Sequence, residues 1–126
     1  MATMLLTFGV ANAQKVAKVT ITSKTSITEA LNKCKEAGRE ANWGSRDYEA
    51  NASHGKVTLW QNVGRINPFE FYCQVEATFK DGITTLSFRI PHNPNAIANY
   101  IKELKKITTK LKLPEMMVGE YFDGIE

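Results

Sequence analysis

The chain has 126 residues, of which 43% are hydrophobic and 23% charged, and its 16 basic and 13 acidic residues give a formal net charge of +3. These values are typical of one globular domain and argue against both a disordered chain and a membrane-embedded bundle. The net charge is too small to indicate nucleic-acid binding by itself.

Residues 1–13 have the pattern of a secretory signal peptide. An apolar run, Met4–Val10, precedes a small-x-small triplet at 11–13, after which signal peptidase would leave Gln14 as the first residue. The run is too short to span a bilayer, which takes about 20 apolar residues. Because the usual positive charge before such a run is missing, a first β-strand over Leu5–Val10 in a cytoplasmic protein is the alternative.

A strand and then a helix follow this segment. Lys15–Thr22 alternates apolar and polar side chains and is rich in β-branched residues, which predicts a β-strand. Ser26 and Glu29 have the spacing of a capping box, in which both side chains satisfy backbone N–H groups at a helix start. Apolar residues then recur at the spacing of one helix face: Ile27, Ala30, Leu31, Cys34, Ala37 and Ala41. Asn42-Trp43-Gly44 is expected to end the helix.

The stretch from Arg46 to Ile90 has no helical period and predicts an antiparallel meander of about four strands. Turn signals recur within it at His54-Gly55, Asn67-Pro68 and Asp81-Gly82. The clearest hairpin joins Phe71–Phe79 to Ile83–Ile90 through the last of these turns, and each arm alternates apolar with polar side chains. We therefore expect one face of this sheet to form the core.

A second amphipathic helix is predicted after this meander. Asn93 is expected to cap it, with Pro94 at its first position and Pro114 beyond its end. Its apolar stripe consists of Ile97, Tyr100, Ile101, Leu104, Ile107 or Thr108, and Leu111.

The predicted fold class is α+β, with an antiparallel sheet of about five strands and two amphipathic helices on one face, in the order β-α-β-β-β-β-α. The prediction treats 14–126 as a single domain with a C-terminal tail from about residue 114. The other face of the sheet is left open.

This pattern resembles a family of small exported bacterial domains of unknown function whose fold is like half of the TATA-box-binding protein. The resemblance is carried by Ala11-Asn-Ala13, by the element order, and by Phe79-Lys-Asp-Gly82 followed by the alternating strand Ile83–Ile90. It covers roughly residues 15 to 112 and implies the fold and an exported location, and it supplies no catalytic residues. The tail beyond Leu113 has no counterpart in it.

The two cysteines are predicted to face each other in the interface between helix and sheet. Cys34 lies on the apolar face of the first helix, and Cys73 lies on the apolar face of a central strand. A disulfide in an oxidising periplasm and a pair of buried free thiols are both compatible with this placement.

Three surfaces are candidates for binding. Aromatic side chains are expected on the open sheet face, and they are Trp60, Tyr72 and Tyr48. A basic surface on the second helix is formed by Lys102, Lys105, Lys106, Lys110 and Lys112, and it would suit an acidic partner, an anionic membrane surface or nucleic acid. The tail beyond Leu113 combines methionine and aromatic residues with acids, and it either folds back on the domain or binds a partner.

Signals for catalysis are weak. The two histidines, His54 and His92, and the cysteines lack the spacing of a metal site, so no metal or cofactor is predicted. Asp47 and Glu49 share a strand face and could work with one of the histidines in a small hydrolase or lyase.

The preferred interpretation is an exported, periplasmic or secreted, non-catalytic domain. It would bind a protein, an envelope component or a small ligand through its open sheet face or its tail, and no nucleic acid is expected as a partner. The alternatives are the hydrolase or lyase and a cytoplasmic RNA-binding domain that uses the lysines of the second helix.

Overall fold

The computed structural model of the protein describes residues 14–63 and 69–126. The elements, in chain order, are β1 (Lys15–Ser23), α1 (Ile27–Glu40), β2 (Gly44–Ala50), β3 (His54–Val63), β4 (Phe69–Lys80), β5 (Ile83–His92), α2 (Tyr100–Thr108), β6 (Met117–Val118) and β7 (Phe122–Ile125). The predicted signal peptide, the alternative strand over Leu5–Val10 and the predicted turn at Asn67-Pro68 lie outside the described residues.

The α+β class and the antiparallel sheet are confirmed. Within the described residues the sheet has seven strands in the order β2-β3-β4-β5-β1, and β6 and β7 both pair with the outer side of β1. The predicted count of about five strands was therefore wrong. The extra strands come from the tail, whose short segments show no alternation of their own and become strands because the edge of β1 supplies their hydrogen bonds.

The hairpin between β4 and β5 turns where the sequence predicted. Lys80 pairs with Ile83, and the two residues between them, Asp81 and Gly82, have φ angles of 53° and 79°. Positive φ at both positions is the geometry of a type I′ turn, which favours Asp-Gly because its twist matches that of the strands. The His54-Gly55 turn was misplaced, because His54 already begins β3.

The two helices differ in how well their starts were predicted. Ser26 caps α1 as expected, since its hydroxyl oxygen accepts a hydrogen bond from the Glu29 backbone N–H at 3.2 Å. The cap of α2 is Asn99 and not Asn93, and its side chain accepts from the Lys102 backbone N–H at 3.0 Å. Asn93 instead accepts from the Asn95 backbone N–H at 2.8 Å, which stabilises a local turn before the helix begins.

One face of the sheet forms the core beneath both helices. Helix α1 contacts β3 and β4, helix α2 contacts β1 and β5, and the helices contact each other. The strand residues of this core are buried and alternate along each strand; they include Val19, Ile21, Val57, Leu59, Val75, Leu86, Phe88 and Ile90. Ile97, predicted to join the stripe of the second helix, is fully exposed because it precedes the helix.

The two cysteines lie in this core as free thiols. Cys34 on α1 and Cys73 on β4 are both completely buried. Burial raises the pKa of the Cys73 thiol to about 12, and burial together with the nearby Cys73 raises the pKa of the Cys34 thiol further above its usual range. Neither thiol is therefore in the thiolate form that reacts with electrophiles.

Candidate functional site

The open face is the side of the sheet turned away from the helices, and it carries Trp60, Tyr72, Arg89 and Lys18. Strand register decides which of its side chains meet. Trp60 lies directly opposite Tyr72 across β3 and β4, and Gly44 of β2 lies opposite Trp60 on the other side. Two of the three aromatic residues predicted on this face are therefore brought together, and Tyr72 is 40% exposed.

Arg46 completes what we call the aromatic cluster, which consists of Arg46, Trp60 and Tyr72. Its guanidinium carbon lies 5.5 Å from the Trp60 ring centroid and 5.1 Å from the Tyr72 ring centroid. Both distances fall within the range of cation–π attraction. The cluster therefore combines two flat apolar rings with one planar cation that carries several hydrogen-bond donors.

Gly44 allows the Trp60 indole to lie against β2. A Cβ atom at this position would come within 2.8 Å of the indole Nε1. Sequence reasoning missed both Gly44 and Arg46, because their roles depend on the pairing of β2 with β3. The sequence signal that bears on them is the apolar alternation of β3, which fixes the face on which Trp60 and its partner on β2 lie.

Tyr48 lies apart from the aromatic cluster, contrary to the prediction. The pairing of β2 with β3 shifts between Arg46 and Glu49, and Asp47 has a φ angle of 57° within that bulge. The Tyr48 ring consequently meets α1, where the Lys35 amine lies 4.6 Å from its centroid. A bulge changes which face the following side chains occupy, so simple alternation failed here.

A row of side chains crosses the open face beside the aromatic cluster. Its members are paired residues on six successive strands: Arg46, Thr58, Gln74, Arg89, Lys18 and Phe122. Three of the six are cations. The Arg89 guanidinium donates to the Gln74 side-chain oxygen at 3.2 Å, and the Lys18 amine lies 5.2 Å from the Phe122 ring centroid.

The Glu126 carboxylate bridges two of these cations. One of its oxygens accepts from the Lys18 amine at 3.1 Å, and the other accepts from the Arg89 guanidinium. Hydrogen bonds from Lys18 and then from Arg89 hold the pKa of Glu126 below its usual range. The pair of cations thus favours a carboxylate between them in its charged form.

The carboxylates proposed for catalysis are only partly assembled. Glu49 and His54 line one shallow cavity of about 450 Å³ together with Glu76, and Asp47 does not belong to it. The side chains of Asp47 and Glu49 are both 71% exposed, and Glu49 pairs with the Lys56 amine at 3.3 Å. The cavity therefore brings acidic and imidazole groups together, but Glu49 is paired with Lys56, and the His54 Nδ1 atom lies 3.3 Å from the Ser53 hydroxyl oxygen.

His92 lies elsewhere and holds β7 in place. Its Nε2 atom is 3.0 Å from a carboxylate oxygen of Asp123, and its ring stacks on Tyr100 with centroids 3.9 Å apart. β5, which carries His92, is separated from β2 by two strands of the sheet. The proposed combination of His92 with Asp47 and Glu49 is therefore not formed.

The lysines of the second helix are spread over different contacts. The Lys106 amine pairs with Glu103 at 3.0 Å, and the Lys105 amine lies 5.0 Å from the Tyr121 ring centroid. Lys106 and Lys110 line a shallow cavity of about 370 Å³. Lys110 follows the end of α2, and Lys102 lies in its first turn. The predicted basic surface is thus partly used by contacts within the chain.

The tail folds back along the sheet. β6 and β7 pair with β1, and the Tyr121 and Thr108 hydroxyl oxygens lie 2.7 Å apart. Met116 and Tyr121 pack against the core, whereas Met117 is 71% exposed. Of the two alternatives for the tail, the structure has the folded-back arrangement.

No family model, curated protein or solved structure matches this chain. Within residues 14–63 and 69–126, no group of three or more His, Cys, Asp or Glu side chains is placed to hold a metal ion. None of the helices in the described part of the chain is long and apolar enough to cross a bilayer. Function is therefore inferred from the geometry of the open face.

Proposed function

We propose that this chain is a non-catalytic binding domain that takes its ligand on the open face, at the aromatic cluster. The observation that carries the proposal is the placement of Trp60 opposite Tyr72, with Arg46 over both rings, on the face that the helices leave uncovered. Flat rings beside hydrogen-bonding groups supply the apolar contact area and the orientation that ligand sites require.

We further propose that the domain acts outside the cytoplasm, on an envelope component. The support is the apolar run Met4–Val10 with its small-x-small triplet at 11–13. We include in this proposal the resemblance to small exported domains whose fold is like half of the TATA-box-binding protein. Cell fractionation with intact mass measurement tests it: we expect a periplasmic species that begins at Gln14. A full-length cytoplasmic species would contradict export.

Binding at the aromatic cluster is tested by capture from bacterial envelope extracts. The purified domain serves as bait, beside Trp60→Ala and Tyr72→Ala. We expect both variants to keep the circular dichroism spectrum of the parent and to lose the captured component, because each removes one ring of the pair.

Tyr48→Ala is the matched control for this experiment. Tyr48 is 38% exposed and Tyr72 is 40% exposed, but the Tyr48 ring contacts α1. Capture should survive this change. Equal capture by the parent and by both cluster variants would refute the aromatic cluster as the binding site.

Hydrolysis or lyase chemistry is the second candidate, and one observation favours it. Glu49, Glu76 and His54 line the same cavity, which gives a general acid or base access to a bound substrate. A screen against ester, amide, phosphoester and glycoside substrates tests it, with His54→Ala as the control. A flat screen would eliminate this candidate, and turnover abolished by His54→Ala would favour it over simple binding.

A further inference from the structure

We infer that Lys18 and Arg89 form an anion subsite of the open face, for the carboxylate of an acidic sugar whose rings stack at the aromatic cluster. This inference rests on the proposed function and names the class of its ligand. Its starting point is that the subsite already holds a carboxylate, that of Glu126.

The geometry of the two cations suits a carboxylate. Lys18 and Arg89 are directly opposite each other across β1 and β5, so that both side chains rise from the same face. Each takes a different oxygen of Glu126, which is the arrangement of a bridging carboxylate. The Glu126 side chain is 41% exposed, so a ligand in solution can compete for its place.

The anion subsite is continuous with the aromatic cluster. Gln74 lies opposite Arg89 and accepts a hydrogen bond from it, and Tyr72 is two residues before Gln74 on the same face of β4. With a rise of about 3.3 Å per residue and about 4.8 Å between strands, Tyr72 and Arg89 are roughly 8 Å apart along the sheet. A short oligosaccharide spans this distance, with a ring on Tyr72 and a carboxylate on Arg89.

The remaining groups favour a sugar over a nucleotide chain. The hydroxyl of Thr58 and the amide of Gln74 lie between the cations of the row, where they can donate to and accept from sugar hydroxyls. Glu49 and Glu76 lie farther along the same strands, opposite Lys56. Their carboxylates accept hydrogen bonds from sugar hydroxyls, of which a phosphodiester-linked nucleotide has one or none, so a nucleotide chain is disfavoured.

Isothermal titration calorimetry with three defined probes tests the inference. The probes are trigalacturonate, the neutral trisaccharide cellotriose, and adenosine monophosphate. We expect trigalacturonate to bind most tightly, because it alone combines sugar rings with carboxylates. Binding of all probes should disappear in Trp60→Ala, since the rings belong to the proposed function.

Three variants distinguish the contribution of the anion subsite to binding from that of the aromatic rings. Glu126→Gln should tighten trigalacturonate binding by roughly threefold, because the competing charge is removed, and Arg89→Gln should weaken it at least about tenfold. Lys56→Gln is the matched control, because Lys56 is a cation of the same face that pairs with Glu49 and not with Glu126. Its effect should be smaller than about twofold. Glu126 is exposed, so Glu126→Gln should fold like the parent. This variant therefore tests the anion subsite even if Arg89→Gln does not fold.

The outcomes distinguish the two proposals. Equal affinity for cellotriose and trigalacturonate, or no response to Glu126→Gln, would overturn the anion subsite while ring binding stands. Tighter binding of adenosine monophosphate would overturn the sugar class. If none of the probes binds, the inference fails, and the proposed function is decided by envelope capture with the Trp60 and Tyr72 variants.

Discussion

The two faces of the sheet are built from the same strands and follow different rules. On β4, Cys73 and Val75 point into the core and are completely buried. Tyr72 and Gln74, which alternate with them along the strand, point to the open face and are exposed. The core face needs only apolar side chains of suitable size under the helices. The open face needs particular side chains to be neighbours, and strand register alone makes them so.

This difference explains why the faces respond differently to small irregularities. The bulge at Asp47 leaves the core intact because β2 is an edge strand with no buried residue. On the open face, the same bulge separates Tyr48 from Trp60 and Tyr72. A binding face is therefore more sensitive to register than a core.

The largest contrast is expected in stability. Phe88 on the core side of β5 is completely buried, so Phe88→Ala should lower the free energy of unfolding by about 3–5 kcal/mol through lost burial and an unfilled cavity. Tyr72→Ala on the open face should cost no more than about 1 kcal/mol. Urea denaturation of both variants measures the difference. Similar losses would mean that the open face also supports the fold.

Thiol reactivity probes the core face. Because burial raises the pKa of Cys73 to about 12 and that of Cys34 above its usual range, iodoacetamide should leave both unmodified in the folded protein near pH 8. Both should react once the protein is unfolded in guanidinium. Intact mass under each condition gives the count of modified thiols. Rapid modification of the native protein would show that the interface between α1 and β4 opens.

The smallest expected effect is a pH dependence at the open face. Lys18 and Arg89 stabilise the charged form of Glu126 and lower its pKa in the folded state. Their contribution to the docking of β7 is therefore fully present above the ordinary pKa of glutamate and is lost as the pH falls through the lowered value. NMR titration of the Glu126 side chain should give a midpoint below that of an unfolded peptide.

Two variants, Arg89→Gln and Lys56→Gln, test which cations lower the pKa of Glu126. The midpoint of Glu126 should rise in Arg89→Gln, because one of its two hydrogen-bonding cations is gone. It should stay unchanged in Lys56→Gln, whose amine pairs with Glu49. If the titration midpoint of Glu126 is the same in the parent and in Arg89→Gln, Glu126 is not held in the anion subsite in solution.

Local sequence signals predicted the elements that depend on nearby residues. The Ser26 cap and the Asp81-Gly82 turn involve hydrogen bonds and backbone angles within a few residues, and both were predicted correctly. Asn93 and Asn99 are both able to cap a helix, and sequence reasoning chose the wrong one. The helix that begins after Asn99 buries Tyr100 and Leu104 in the core.

The candidate site was predicted only in part, for the same reason. Alternation along β3 and β4 placed Trp60 and Tyr72 on the face away from the core, but it could not place Arg46 over them. Glu126 is separated from Lys18 by 108 positions in the chain, and no local pattern connects them. Their contact exists because β7 pairs with the edge of β1.

The sequence by itself therefore determined the α+β class, the core side of each central strand, the first helix and the tightest turn, because periodicity and turn chemistry are local properties. Only the tertiary structure decided that the tail adds two strands, that Tyr48 leaves the aromatic cluster, and that Lys18 and Arg89 share one carboxylate. These features arise from register between strands that are distant in the chain, where a shift of one residue turns every side chain to the other face.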